Sequence, residues 1–264
     1  MLFRSAVDLD LKAINVESFG ELARVEAIAS RKGAVARVAI RVNPDIDAKS
    51  HPHISTGLKI NKFGIPADDA LALFPMLDAR TAIRLVALHV HVGSQITTME
   101  PIRGAAARLA ELARAALDAG IKLEYVDAGG GLGISYDGGP VPSFAQYATA
   151  FVDEIRGLRL PIVVEPGRSI VGPAGALVAQ VLDLKPRTTS SEFAVINAGM
   201  TELMRPALYN AFHLIEPVSA RAGGLSQYEL VGPVCESGDV VGRDRMLTRL
   251  EVGDLVAIRD TGAY

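Results

Sequence analysis

The stretch Ile83-Arg-Leu-Val-Ala-Leu-His-Val-His-Val-Gly-Ser94, "IRLVALHVHVGS", decides the fold, because it is an apolar, β-branched run that closes on two histidines, a glycine and a serine. A run of this kind, bounded by turn residues, reads as a buried strand. Four others share its build: "KAINVES" ends at Ser18, "VARVAIRVNP" at Pro44, "LEYVDAGGG" at Gly131 and "LPIVVEPGR" at Arg168. Between the five runs lie "FGELARVEAIASRKG", "PADDALALFPMLDA", "EPIRGAAARLAELARAALDAG" and "SFAQYATAFVDEIRG", all with apolar residues at the three- and four-residue spacing of a helix. Strands alternating with helices predict about five βα units around a parallel sheet.

After Arg168 the pattern changes. "AGALVAQVLDLKP", "SEFAVINAG", "SQYELVGPV" and "GDLVAIRDTGAY" read as strands with no long helix between them. The expected organisation is therefore an α/β region over residues 1–169 and an all-β region over 170–264.

Composition narrows the function classes. The chain has 264 residues, is 49% hydrophobic and carries a net charge of −3, so it can bury a substantial core. No block of Lys or Arg gives the basic footprint of a nucleic-acid or anionic-membrane partner. No apolar run approaches the ~20 residues of a membrane span. The single cysteine, Cys235, cannot form an internal disulfide, and the first residues carry charges where a signal peptide is apolar. A cytoplasmic location is the default expectation.

Each of the five runs ends in a polar or glycine cluster, "NVES", "RVNP", "HVHVGSQ", "DAGGGLG" or "EPGR", and in parallel α/β barrels sites are built at that end of the strands. Singly the clusters are ambiguous. "DAGGGLG" does not fit the dinucleotide fingerprint, and its glycines read either as a phosphate contact or as a tight turn. His89 and His91 lie two residues apart, on one side of a strand, which suits a metal pair or hydrogen-bonded strand-end histidines; no third ligand stands at a suitable spacing. "EPGR" reads as a carboxylate and a guanidinium at a strand end, or as a local ion pair.

The combination is more specific. "RVNPD", "STGLKINKFG", "HVHVGSQ", "DAGGGLG", "VVEPGRSIVGPAG", "NAGMTELMRPALY", "VGPVCESGD" and "DTGAY", in that order from about residue 13 to the last residue, resemble the diaminopimelate decarboxylase family. These are pyridoxal-phosphate enzymes of the fold group of alanine racemase and the eukaryotic-type ornithine decarboxylases. The resemblance implies a (β/α)8 TIM-type barrel, incomplete here, followed by a β domain. It also implies decarboxylation of meso-2,6-diaminopimelate to L-lysine by a homodimer with shared active sites.

By the same resemblance, Glu165 holds the proton on the cofactor's pyridine nitrogen and His91 stacks on its ring, with Ser94 a phosphate or ring contact. Gly131, Pro166, Gly167 and Arg168 surround the phosphate, where backbone N–H groups approach closely only if side chains are absent. Arg168, Arg205 and Tyr209 bind the distal carboxylate of the substrate, a role suited to a guanidinium fork. Glu236 meets the distal ammonium, and Tyr264 touches cofactor and substrate. Cys235 is the proton donor to Cα after carbon dioxide leaves, reaching the partner subunit's site. Read without the family, the alternatives are a solvated surface charge for Arg205 and a buried structural cysteine for Cys235.

One family feature is not matched. The cofactor-linking lysine of the family precedes the "NVES" segment, and none of the seven lysines, Lys12, Lys32, Lys49, Lys59, Lys62, Lys122 and Lys185, has its surrounding motif. The family's β domain also continues past "GAY". The expectation divides between a decarboxylase of which this is a part, inactive by itself, and a catalytically inactive cofactor-binding homologue that pairs with an intact enzyme. A related decarboxylase for another amino acid with a distal carboxylate is the third reading.

Overall fold

The computed structural model describes residues 2–47, 62–77, 79–219 and 221–264. The "STGLKINKFG" segment lies largely outside them, as do Lys49 and Lys59. Two compact units are present: Met1–Gly133 with Val141–Pro166, and Ile134–Pro140 with Gly167–Tyr264. The second unit begins at Gly167, just before the expected division after residue 169, and also takes in the short piece Ile134–Pro140.

The first unit holds α1 (Leu2–Asp8), β1 (Ile14–Val16), α2 (Phe19–Lys32), β2 (Ala36–Asn43), β3 (Ile65–Pro66), α3 (Ala67–Leu77), β4 (Ile83–Val90), α4 (Met99–Asp118), β5 (Tyr125–Asp127), α5 (Phe144–Ile155) and β6 (Ile162–Val163). Its strands are all parallel, in the order β1-β2-β4-β5-β6, with β3 joined to β2. These are the five expected units of an incomplete barrel.

Local chemistry starts the helices where they begin. Ser18 caps α2 by accepting from the Glu21 amide, while the Glu21 carboxylate accepts from the Glu17 amide at 2.7 Å. On α5 the pair is reciprocal, a capping box in which Ser143 accepts from the Gln146 amide and the Gln146 side chain accepts from the Ser143 amide.

Strand register decides what the sheet presents. Ala39 pairs with Ala87, Arg41 with His89, Ala87 with Tyr125, His89 with Asp127, and Asp127 with Val163. Side chains alternate faces along a strand, so Ala39 and Arg41, Ala87 and His89, Tyr125 and Asp127, Val163 and Glu165 share one face. Near the strand starts that face is apolar, with Ala39, Ala87 and Tyr125 in one small cluster. Toward the strand ends it turns polar. The other face, with Val38, Ile40, Leu88, Val90 and Val126, joins the helices in the main core. Both faces of β2 and β4 are covered, which is why those strands read as nearly unbroken apolar runs.

The second unit holds the short helices α6 (Arg168–Val171) and α7 (Arg205–Tyr209), with strands β7 (Ala176–Pro186), β8 (Ser191–Ile196), β9 (Ile215–Pro217), β10 (Leu225–Val231), β11 (Val240–Thr248) and β12 (Leu255–Arg259). The sheet order is β11-β10-β8-β7-β12-β9, antiparallel except for the β8–β10 pair. Its end strands β11 and β9 also pack on each other, so the sheet curls nearly closed around its own core. Among the described residues no helix is long and apolar enough to cross a membrane.

Candidate active site

In the first unit the polar strand ends converge. His89, buried at 4% exposure, places Nε2 3.4 Å from Oε2 of Glu165, and ligand atoms of His89, Asp127 and Glu165 all lie within 4.8 Å of one another. They come from β4, β5 and the segment just after β6, so no spacing along the chain announces the group; parallel register makes it. The set has the donors of a cation site. The third partner missing from the local spacing around His89 is present after all, but it comes with His89 alone, since the His89 and His91 rings are 6.5 Å apart.

Electrostatics separates the members. His89 is the main cause holding Glu165 below the ordinary carboxylate range, with His91 and Arg41 adding to it. Burial pushes Asp127 upward, opposed by the Gly129 amide that donates to its Oδ1 at 2.9 Å. Arg41 itself is paired with Glu17 at 2.6 Å.

His91 is held differently. The Gly130 amide donates to His91 Nδ1 at 3.1 Å, which leaves the ring proton on Nε2 of a neutral imidazole. Burial, then Arg41 and His89, lowers its pKa to about 4. Gly130 is glycine because a Cβ there would stand 2.2 Å from the Glu165 carbonyl oxygen. Gly131 combines φ +104° with a Cβ position 2.5 Å from the Gly93 carbonyl oxygen. Tyr147 on α5 supports the loop by donating to the Gly129 carbonyl at 3.1 Å. The glycine run thus lets the strand-end loops of β4, β5 and β6 touch. Ser94 follows on the β4 loop, half-buried and hydrogen-bonded or in contact with its surroundings.

In the second unit two buried arginines bracket one tyrosine. Arg168 NH1 donates to the Tyr136 hydroxyl at 2.7 Å, and the Arg205 guanidinium lies over the Tyr136 ring at 4.3 Å. Tyr264 covers Arg168 at 4.7 Å. Arg205 is 6% exposed and therefore not a solvated surface charge. Its NH1 is 2.7 Å from His213, its Nε is buried without a partner, and among the described residues no carboxylate pairs with it. Burial lowers the Arg205 pKa most strongly, with Arg168 adding to it, while Tyr136 and then Tyr209, which ends the same helix, oppose.

Cys235 and Glu236 stand apart from this group, exposed on the loop between β10 and β11. A buried structural cysteine is thereby excluded. The loop is pinned by Asp239, whose buried carboxylate accepts from the Met200 amide at 2.6 Å and the Val234 amide at 2.8 Å. Tyr136, His213, Asp127 and Asp239 were not legible as site residues in the sequence. Lys12 lies over the Tyr125 ring, Lys32 pairs with Asp8 and Lys62 lies over Phe63, so these three are engaged elsewhere.

A parallel βα sheet with polar strand ends, followed along the chain by a curled β domain that buries Arg168 and Arg205, defines the class of α/β barrel-type proteins with an accessory β domain. The chain belongs to the pyridoxal-dependent decarboxylases: the family model for their pyridoxal binding domain matches residues 2–172. It is 43% identical over 260 residues to the diaminopimelate decarboxylase of Helicobacter pylori, covering 98% of this chain and 64% of that enzyme. The diaminopimelate decarboxylase of Neisseria meningitidis serogroup A is also 43% identical, over 259 residues, 98% of this chain and 63% of the relative. The crystal structure of the Helicobacter pylori enzyme complexed with L-lysine superposes with a TM-score of 0.95 at 42% identity, covering 99% of this chain and 65% of that one. The chain thus spans just under two thirds of the length of these relatives.

Proposed function

We propose that this chain carries the greater part of a cytoplasmic, homodimeric decarboxylase that converts meso-2,6-diaminopimelate to L-lysine with pyridoxal phosphate. The observation that carries the substrate reading is Arg205: a guanidinium buried against His213 and Tyr136, with no carboxylate paired to it among the described residues, suits an anionic ligand. A diamine-forming decarboxylase whose substrate lacks a distal carboxylate gives that charge no partner.

The residues of the first unit fit the ring of the cofactor. A carboxylate held ionised at a strand end suits a protonated ring nitrogen, and a neutral imidazole face suits stacking on an aromatic ring. When bound, pyridoxal phosphate supplies the electron sink for the pair left at Cα as carbon dioxide departs. Glu165 keeps the ring nitrogen protonated, and His91 orients the ring. Ser94, Gly131, Pro166, Gly167 and the Arg168 backbone serve the phosphate end. Arg205, Arg168 and Tyr209 take the distal carboxylate, with Tyr264 beside them, and Glu236 takes the distal ammonium. Cys235, exposed on its loop, gives a proton to Cα in the partner's site. Its freedom from any internal pairing suits a reducing compartment.

Titrating the purified chain with pyridoxal phosphate, followed by ring absorbance, tests the first half. Glu165→Ala and His91→Ala should each weaken binding by about tenfold or more. Unchanged affinity in both overturns the assignment. For the second half, Arg205→Met should remove binding of L-lysine and leave pyridoxal phosphate affinity intact; a parallel loss of both means Arg205 serves the cofactor.

A further inference from the structure

We propose that His213 is the positioning residue that aims the Arg205 fork, and so sets the preference for a ligand with a distal carboxylate. The proposal rests on the reading of Arg205 given above.

His213 is fully buried, at 0% exposure. Its Nδ1 lies 2.8 Å from the Arg259 carbonyl oxygen and its Nε2 lies 2.7 Å from Arg205 NH1. A carbonyl oxygen only accepts and a guanidinium only donates, so both distances are satisfied by one form of the ring: neutral, proton on Nδ1, lone pair on Nε2. An imidazolium would turn an N–H toward the guanidinium. The ring therefore serves as a fixed acceptor that holds one arm of Arg205. Tyr136 fixes the plane, since its ring meets His213 edge-on at 5.0 Å and 70° and carries Arg205 on its face. With one arm held and one face covered, the guanidinium has a set direction for its remaining donors, and a fork gains its advantage over a point charge only when so oriented.

The groups facing His213 agree with a neutral ring. Burial is the strongest influence lowering its pKa, and Arg205 on α7 and Arg168 on α6 add to it. The Arg259 carbonyl and Asp260, after β12, oppose, and the Tyr136 ring meets the imidazole edge-on. As pH falls below the ordinary histidine value, protonation of His213 removes the acceptor and sets two cations face to face, so carboxylate recognition weakens on the acid side.

The test compares L-lysine, which keeps the carboxylate that decarboxylation leaves untouched, with 1,5-diaminopentane, which lacks it. Both are titrated calorimetrically into the chain saturated with pyridoxal phosphate, for wild type, Arg205→Met, His213→Phe and His213→Gln. His213→Phe should cut the preference for L-lysine at least tenfold with little change for the diamine. His213→Gln, which offers both an acceptor and a donor, should restore part of it and abolish the acid-side decline seen in wild type. If Arg205→Met leaves the preference unchanged, the carboxylate reading itself fails. If Arg205→Met removes the preference while both His213 variants keep it, the positioning role alone is overturned. Should His213→Phe not fold, the 15N imidazole spectrum of the wild-type chain decides: an Nδ1–H neutral ring at pH 7 is expected, and an imidazolium or an Nε2–H ring refutes the proposal.

Discussion

The Gly130 amide donates to Nδ1 of His91 across 3.1 Å, and the same glycine leaves no room for a Cβ against the Glu165 carbonyl. One backbone unit therefore sets the tautomer of the His91 imidazole and the close approach of the Glu165 strand end.

His91 makes stability pH-dependent. Its folded pKa is about 4 against an ordinary 6.5, so the folded state prefers the neutral ring. Its contribution is complete above pH 6.5 and is lost as pH falls from 6.5 toward 4, by about 3 kcal/mol at most. Urea unfolding at pH 7 and pH 4.5 should show a smaller pH penalty in His91→Phe than in wild type. Equal penalties would contradict the assignment.

Gly130→Ala should destabilise the fold by about 3 kcal/mol, because the added methyl meets backbone and not a flexible side chain. Gly157→Ala, where a Cβ meets nothing within 4 Å, should stay within about 0.5 kcal/mol of wild type. Thermal midpoints of the two variants give the contrast, and similar values for both would show that the loop can yield.

Asp239→Ala should cost about 2 kcal/mol, since it removes the acceptor for two backbone amides, Met200 and Val234. The Val234 amide adjoins Cys235, so the rate at which a thiol reagent modifies Cys235 should change in the same variant. A wild-type rate together with a wild-type midpoint would mean the loop is held by something else.

Cys235→Ala should slow turnover far more than it weakens ligand binding, because a proton donor acts only after the bond is broken. Mixed with His91→Ala in a preparation competent for turnover, it should recover up to about a quarter of wild-type activity, because one site in each mixed dimer regains both residues. Dimers that demonstrably exchange subunits yet recover nothing would place the thiol in its own chain's site.

Much of the first unit was legible in the sequence. Strands β2 and β4 are buried on both faces and so read as long β-branched runs, and α2, α4 and α5 show apolar residues at helical spacing. β11 was missed because "VVGRDRMLT" mixes charges into an end strand, and β9 because three residues make no pattern. Within the candidate site, His91, Glu165 and Arg205 stand in motifs that single them out as candidates. Asp127 opens the DAGGGLG stretch, yet its meeting with His89 and Glu165 depends on the parallel register of β4, β5 and β6. Tyr136 and His213 are single polar residues, one in a loop and one between short elements, and only tertiary structure brings them to Arg205 and Arg168.

The piece Ile134–Pro140 has a consequence for recombination. It belongs to the second unit, although Val141–Pro166, which follows it, returns to the first. No single crossover can therefore exchange one unit whole. A chimera joined near residue 167 takes Tyr136 from one parent but Arg168, Arg205 and His213 from the other. If the parents differ in how they hold the guanidinium, such a hybrid inherits two mismatched halves of one clamp. Between divergent relatives, swaps that also carry residues 134–140 should outperform swaps at the apparent domain boundary.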